Sequence, residues 1–273
     1  MRIAVIAPGA MGAAVAQRLR GRGAEVGVTL AGRSARSAAR AEGLMQLAGE
    51  VALMEWAEIV LSILPPGEAL GLARRLAPSL VGKTFVDCNA VSPTTVRAVA
   101  AALPGVRFCD AGIIGGPPKG DDAGPRFYAS GDAAPGLAVL GQHGLDWRPI
   151  EGGIGAASAL KMSYAGITKG LTAIGSAMAL GATEAGVGEA LRAELAESQP
   201  QLLRTLRSSV PGMFDKAYRW VAEMEEIAAF LGDAEAAPIY RAVARLYQGI
   251  AADLSAPAAT GPVAVLRDFY RQG

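Results

Sequence analysis

From Met1 to about Ile150 the chain alternates between short β-rich apolar runs and longer Ala/Arg-rich stretches. That alternation marks βαβ units, in which strands buried on both faces read as unbroken apolar runs and helices cover them. Strands are predicted at Arg2–Ala7, Glu25–Leu30, Ile59–Leu64, Thr84–Cys88 and Arg107–Asp110. A helix is predicted over Met11–Arg22, where Ala14, Val15 and Leu19 make an apolar face. Arg18, Arg20 and Arg22 crowd its end, where cations suit the helix dipole. The Gly- and Pro-rich stretch Gly112–Gly136 reads as long loops. After Gly155 the strand signal stops, and Ala, Leu and Glu dominate, with breaks at Glu184–Gly188, Pro211–Gly212, Gly232–Pro238 and Pro257–Pro262. About five helices are expected there, one of them long. The predicted architecture is α/β: a doubly wound parallel sheet over residues 1–153 and an all-α domain over 154–273.

Composition narrows the chemistry. With 273 residues, 51% hydrophobic and 19% charged, the chain can bury the cores of two domains, which excludes disordered and fibrous classes. Lys and Arg number 26 against 25 Asp and Glu, so neither nucleic acid nor a membrane is an expected partner. His143 is the single histidine, which argues against histidine metal sites and Ser-His-Asp machinery and leaves acid–base work to another residue. Cys88 and Cys109 match no disulfide framework, zinc site or redox motif and are expected to be reduced thiols in a cytoplasmic protein. The opening MRIAVIAPGAMG has no charged leader, apolar stretch and cleavage site in that order, so a signal peptide is not expected. Ile154–Gly181, the longest weakly charged stretch, carries Lys161 and Lys169 and reads as a buried helix rather than a membrane span.

The segment Ala7-Pro8-Gly9-Ala10-Met11-Gly12 ends a predicted strand and opens a predicted helix. Gly9 and Gly12 occupy the second and third glycine positions of the dinucleotide fingerprint, with Ala7 at the first. A pyrophosphate would sit on the helix N-terminus, approached closely by the backbone at Gly9. The plain alternative is a glycine turn without a ligand. At the close of the second strand, an NAD enzyme places an acid to accept from the ribose 2′-hydroxyl. This chain reads Ala31-Gly32-Arg33-Ser34-Ala35-Arg36-Ser37, with no carboxylate. Arg33 and Ser34 offer donors to a 2′-phosphate, which favours NADP over NAD. The other reading of Arg33, Arg36 and Arg40 is an ordinary solvated helix face.

Three further segments carry a resemblance: Ser62-Ile63-Leu64-Pro65-Pro66, Asp87-Cys88-Asn89-Ala90-Val91-Ser92-Pro93, and Gly153-Ile154-Gly155 followed by Lys161. With them the chain resembles the β-hydroxyacid dehydrogenases, the superfamily of 3-hydroxyisobutyrate, tartronate semialdehyde and 6-phosphogluconate enzymes. The stretch Ala157-Ser158-Ala159-Leu160-Lys161-Met162, with Tyr164, Lys169-Gly170 and Glu223-Met224-Glu225-Glu226-Ile227, looks like a poorly characterised branch with a phosphogluconate-dehydrogenase-like C-terminal domain. The resemblance implies a Rossmann-type NADP-binding domain, an all-helical substrate and dimerisation domain, and a homodimer. It adds Leu64, Pro65 and Asn89 to the cofactor contacts Pro8, Gly9, Ala10, Met11, Gly12, Arg33 and Ser34. It puts Ile114, Gly115, Gly116 and Glu223 at the substrate.

Lys161 matches the family's catalytic lysine. A lysine on the first helix after the nucleotide domain, facing a cleft where desolvation favours its neutral form, can exchange a proton with a substrate oxygen while hydride moves at the nicotinamide. Tyr164, one turn on, is the expected orienting hydroxyl. The competing reading is a snorkelling lysine at a helix end. Several positions depart from the family. Its Asp-Ala-Pro-Val-Ser-Gly-Gly loop reads Asp110-Ala111-Gly112-Ile113-Ile114-Gly115-Gly116, so a carboxylate-holding serine becomes Ile114. The asparagine one turn after the lysine is Tyr164, and Glu223-Met224 stands where Lys-Asp is common. A bulkier or less anionic substrate is therefore expected. Met213, Phe214, Tyr218, Trp220 and Met224 are equally well read as core and dimer packing. The leading expectation is an NADPH-dependent oxidoreductase acting on a carbonyl or hydroxyacid-like compound. Imine reductase or reductive aminase activity is the nearest alternative, and a non-catalytic dinucleotide-binding protein the alternative of another class.

Overall fold

A computed structural model describes residues 1–120, 122–233, 235–256 and 260–271. The chain divides into two compact units, Met1–Met162 and Ser163–Gly273. In the first unit the strands are β1 (Arg2–Ile6), β2 (Glu25–Val28), β3 (Met45–Gln46), β4 (Ile59–Ser62), β5 (Thr84–Asp87), β6 (Arg107–Ile114), β7 (Arg126–Ser130) and β8 (Asp146–Pro149). They form one eight-stranded sheet in the order β3-β2-β1-β4-β5-β6-β7-β8. All neighbours run parallel except β6 and β7. The connecting helices are α1 (Ala10–Gly21), α2 (Ala35–Arg40), α3 (Glu50–Trp56), α4 (Ala69–Leu80), α5 (Pro93–Ala101) and α6 (Val139–Gln142).

The apolar run of β1 has a direct cause. Ile3 and Val5 join a core with Val15 and Leu19 of α1, whereas Ala4 and Ile6 join a second core with Leu53, Leu72 and Val96 of α3, α4 and α5. Both faces are covered, so no polar alternation survives. The register aligns Ile6, Ser62, Asp87 and Asp110 in one row across β1, β4, β5 and β6. The order of strands reverses between β1 and β4, which places a crevice outside their carboxyl ends.

Two expectations need correction here. Gly112–Gly136 does carry the long irregular stretch expected, but it also holds strand: β6 runs on to Ile114, and β7 returns antiparallel with Gly112 opposite Tyr128. Among the described residues, both the connection between Ile114 and Arg126 and the turn with its 3₁₀ segment after β7 have the irregular backbone their glycines and prolines suggested. The edge strands β3 and β8 escaped notice because neither is an apolar run: β3 is two exposed residues and β8 reads Asp-Trp-Arg-Pro.

Helix α7 (Ala156–Glu184) starts in the first unit and continues into the second. It is followed by α8 (Gly188–Ser198), α9 (Pro200–Ser209), a 3₁₀ turn at Pro211–Lys216, α10 (Ala217–Leu231), α11 (Ala237–Ser255) and α12 (Pro262–Phe269). Among the described residues this makes six α-helices rather than about five. The additional break falls at Gln199, whose backbone leaves the helical region just before Pro200 opens α9. Part of the expected break at Pro257–Pro262, residues 257–259, lies outside the described residues. Among the described residues no helix is long and apolar enough to cross a membrane.

Candidate active site

The turn between β1 and α1 is built for close approach. Ala7 has φ 60°, the left-handed region, and its carbonyl accepts from the Gly9 N–H at 2.7 Å. A Cβ on Gly12 would lie 2.5 Å from that same carbonyl oxygen, so only glycine lets α1 start this near the strand. Gly9 is different. A Cβ there would meet nothing nearer than the Ala7 oxygen at 3.9 Å, so packing within the chain does not demand glycine. Gly9 is also the N-cap of α1, which has no side-chain cap and no acid in its first turn. The N–H groups of Ala10, Met11 and Gly12 therefore have no intrahelical partner, and Pro8 lies buried behind them. An uncapped helix end with an open glycine suits a pyrophosphate.

At the end of β2, Gly32 (φ 70°) turns the chain and Arg33 is half-buried. Ser34 has a task of its own: it is the N-cap of α2, its hydroxyl accepting from the Ser37 N–H at 3.3 Å. Arg36 is exposed, and Arg40 lies at the last turn of α2.

Past β4 and β5, Asn89 is buried and its amide is fully engaged. Its Oδ1 accepts from the Leu64 N–H at 2.6 Å, and its Nδ2 donates to Ser62 Oγ at 3.0 Å and Asp87 Oδ2 at 3.1 Å. Asn89 thus ties the Leu64–Pro65 loop to the end of β5. Pro65 is exposed at that loop and Leu64 half-buried.

Midway along β6, level with the last residue of β5, lies the polar cluster that organises the start of α7. Asp110, 1% exposed, accepts at Oδ2 from the Gly155 N–H (2.9 Å), the Ser158 N–H (3.0 Å) and the Ser130 hydroxyl (3.2 Å). Its Oδ1 accepts from the Ser158 hydroxyl at 2.7 Å, and Ser130 Oγ accepts from the Ala157 N–H at 3.0 Å. Two residues along β6, a Cβ on Gly112 would lie 2.9 Å from the Ala157 carbonyl oxygen and 2.9 Å from the Lys161 Cβ. Lys161 is therefore packed on β6, on the same side of the sheet ends as Gly9, Leu64 and Asn89. β1 and β6 are three strands apart, about 14 Å at the usual strand spacing.

Gly115 and Gly116 follow β6 directly and are exposed, but Ile114 is the last residue of the strand, paired with Arg126 and buried. The expectation of Ile114 as a loop residue is corrected by that pairing. The connection beyond is strapped to α1 by Arg18. Its guanidinium donates to the carbonyl oxygens of Asp122 (2.9 Å) and Gly120 (3.0 Å) and to Asp122 Oδ1 (2.8 Å). Arg18 and Arg20, which donates to the Gly43 carbonyl, thus make tertiary ties rather than simply balancing the helix dipole.

In the second unit Glu223 pairs with the Lys169 ammonium, which also lies 4.7 Å from the Trp220 ring centroid. The Tyr247 hydroxyl donates to the Lys169 carbonyl at 2.5 Å, and burial, with the Glu223 carboxylate beside it, pushes that phenol up. Glu223 brings its own cation, so its negative charge is balanced locally. Met213, Phe214 and Met224 are core, whereas Tyr218 is exposed. Tyr164 is half exposed, one turn beyond Lys161 on α7.

The remaining candidates for chemistry are quiet. His143 closes α6 with Nδ1 at 2.9 Å from the Arg22 carbonyl. Both cysteines are free and buried; burial pushes the Cys88 thiol well up and the Cys109 thiol up to about 12. Among the described residues no group of three or more His, Cys, Asp or Glu could hold a metal ion.

Residues 2–137 match the NAD binding domain of 6-phosphogluconate dehydrogenase, and residues 182–250 match a domain of unknown function, DUF1932. A solved protein of unknown function, described as structurally similar to 3-hydroxyacid dehydrogenases, is 30% identical over 94% of this chain and 98% of its own, with a TM-score of 0.71. The chain belongs to the β-hydroxyacid dehydrogenase superfamily. An uncharacterized 28.5 kDa protein of Methanothermus fervidus is 30% identical over 66% of this chain and 70% of its own. The fold is shared with 3-hydroxyisobutyrate dehydrogenase of Mycobacterium tuberculosis (21% identity, 99% of each chain, TM-score 0.69). It is shared too with an imine reductase variant from Myxococcus stipitatus (21% identity, 99% of each chain, TM-score 0.59). As a member of the β-hydroxyacid dehydrogenase superfamily, the protein is an NAD(P)-dependent oxidoreductase. Sequence reasoning passed over two residues of this β-hydroxyacid dehydrogenase homologue, Asp110 and Gly112. The available signal was their place at the head of the Asp-Ala-Gly segment, two residues apart and so on one face of a strand.

Proposed function

We propose that the protein is an NADPH-dependent reductase, or in reverse a dehydrogenase, of a carbonyl or hydroxyacid-like compound, with Lys161 as its acid–base group. The observation that carries this reading is the seating of Lys161 on Gly112, at the strand ends that also carry the uncapped α1 N-terminus. A nicotinamide cofactor, when bound, supplies or accepts the hydride. Pro8, Gly9, Ala10, Met11 and Gly12 would hold its pyrophosphate, and Leu64, Pro65 and Asn89 would line its path across β4 and β5. Arg33 would meet the 2′-phosphate, with the Ser34 hydroxyl, already committed to capping α2, in a lesser role. Lys161 gives a proton to the substrate oxygen in reduction and takes it in oxidation, with the Tyr164 hydroxyl as orienting group. Gly115 and Gly116 offer backbone donors to the substrate, while Ile114 shapes the strand behind them.

We further propose a homodimer. Leu160, Tyr164, Ile167, Leu171, Ile174 and Met178 are exposed along α7 at alternating spacings of four and three. That is the repeat of a helix seam that wants a partner.

The reaction is tested by following NADPH consumption with 2-oxo acids, aldehydes and cyclic imines. Fastest turnover of a carbonyl compound is expected. Faster turnover of imines would transfer the protein to the imine-reducing alternative, and NADPH binding without turnover of any of them would favour the non-catalytic one.

A further inference from the structure

We propose that Asp110 is a positioning residue for the reaction: from β6 it sets the first turn of α7, and through it the placement of Lys161. The proposal rests on the reading of Lys161 as the acid–base group. Among the described residues, every polar contact of the Asp110 carboxylate is with a donor, as an acceptor-only anion requires: the N–H groups of Gly155 and Ser158 and the hydroxyls of Ser130 and Ser158. None of these partners is a cation. A charge at 1% exposure is costly to bury unless hydrogen bonds replace its water, and here the start of a helix replaces it.

An ordinary N-cap would satisfy the same N–H groups from within the chain that makes the turn, with the short side chain of the residue just before the helix. Asp110 caps α7 from a strand 45 and 48 residues earlier in the chain, so the bonds lock helix to sheet rather than helix to its own approach. Ser130, on β7, adds a second strand to the lock through the Ala157 N–H. Gly112 supplies the opposing contact: it abuts Ala157 and Lys161 at distances that no larger residue allows. Asp110 grips residues 155 and 158, and Gly112 meets 157 and 161, so both the rotation and the axial setting of this turn are fixed. Lys161 follows Ser158 by three residues, less than one turn, leaving little play between the clamp and the ammonium.

The test uses the full chain saturated with NADPH and the variants Asp110→Asn, Ser130→Ala and Lys161→Ala. Hydrogen exchange over Gly155–Met162 reports on the clamp. Values of kcat, counted per NADPH-binding site, and KM are measured with the carbonyl compound that wild type reduces fastest. Asp110→Asn is expected to accelerate exchange in that segment by about tenfold or more, each lost bond being worth about that factor. Its kcat should fall about 10–100-fold, as for a misplaced catalytic group, with KM for NADPH within about twofold of wild type. A merely structural role would lower the number of binding sites and leave kcat per site unchanged, which would overturn the proposal. So would a loss of kcat without faster exchange. If Asp110→Asn does not fold, Ser130→Ala decides by the same pair of readouts. A wild-type rate in Lys161→Ala would overturn the acid–base reading itself, whereas a slow Lys161→Ala beside a normal Asp110→Asn would overturn only the positioning role.

Discussion

Gly112 and Lys161 are in contact at their backbones' limit: a Cβ on Gly112 would stand 2.9 Å from the Lys161 Cβ. The atoms that would have to give way are a helix carbonyl and the rigid root of a side chain. Gly112→Ala should therefore push the first turn of α7 off β6, at a stability cost of about 1–3 kcal/mol. Turnover should fall about 10–100-fold with NADPH affinity unchanged. Single-turnover hydride transfer beside a cofactor titration checks this, and full activity in the alanine variant would refute it.

Ala7 occupies a left-handed backbone position at φ 60° where the fingerprint has glycine. An L-residue there pays about 1–2 kcal/mol, partly offset because glycine is costlier to order. Ala7→Gly should raise stability by about 0.5–1 kcal/mol without weakening cofactor binding. Chemical denaturation measures it; a destabilised Ala7→Gly variant would show that the turn holds Ala7 without strain.

How much was legible in the chain follows from the range of each interaction. β1, β2, β4 and β5 were readable because burial on both faces leaves an uninterrupted apolar run, and their ends were overrun where Ala7, Leu30 and Leu64 continue the run into the turns. β7 was hidden because Phe127 and Ala129 alternate with Arg126 and Tyr128 inside a glycine-rich neighbourhood. The Gly9–Gly12 turn is local and was found. The engagement of Asn89 with Leu64, and of Asp110 with Gly155 and Ser158, joins residues 25 to 48 positions apart, and nothing in a linear pattern states that distance. The same holds for Glu223, whose partner Lys169 lies 54 residues away.

The proposed preference for NADPH rests on Arg33 and on the missing acid after β2. NADPH should bind more tightly than NADH, and Arg33→Ala should weaken NADPH by about tenfold or more, the worth of a charge-assisted contact, while sparing NADH. Isothermal titration of both cofactors into both proteins checks this. Equal affinities throughout would refute the assignment.

The apolar seam on α7 predicts a dimer in solution, and Ile167, 71% exposed at its middle, is the position most sensitive to charge. Light scattering should report twice the chain mass for wild type and a concentration-dependent fall toward monomer for Ile167→Asp. A monomeric wild type at micromolar concentration would contradict the seam's role.

In the proposed reaction Lys161 carries the proton while hydride moves. Stopped-flow hydride transfer from NADPH to a confirmed carbonyl substrate, in Lys161→Ala and Lys161→Met, tests it most directly. The expected result is a rate lower by about 10²–10⁴-fold with NADPH affinity nearly intact, because the phosphates are held at the β1–α1 turn. Hydride transfer at the wild-type rate in both variants would contradict it.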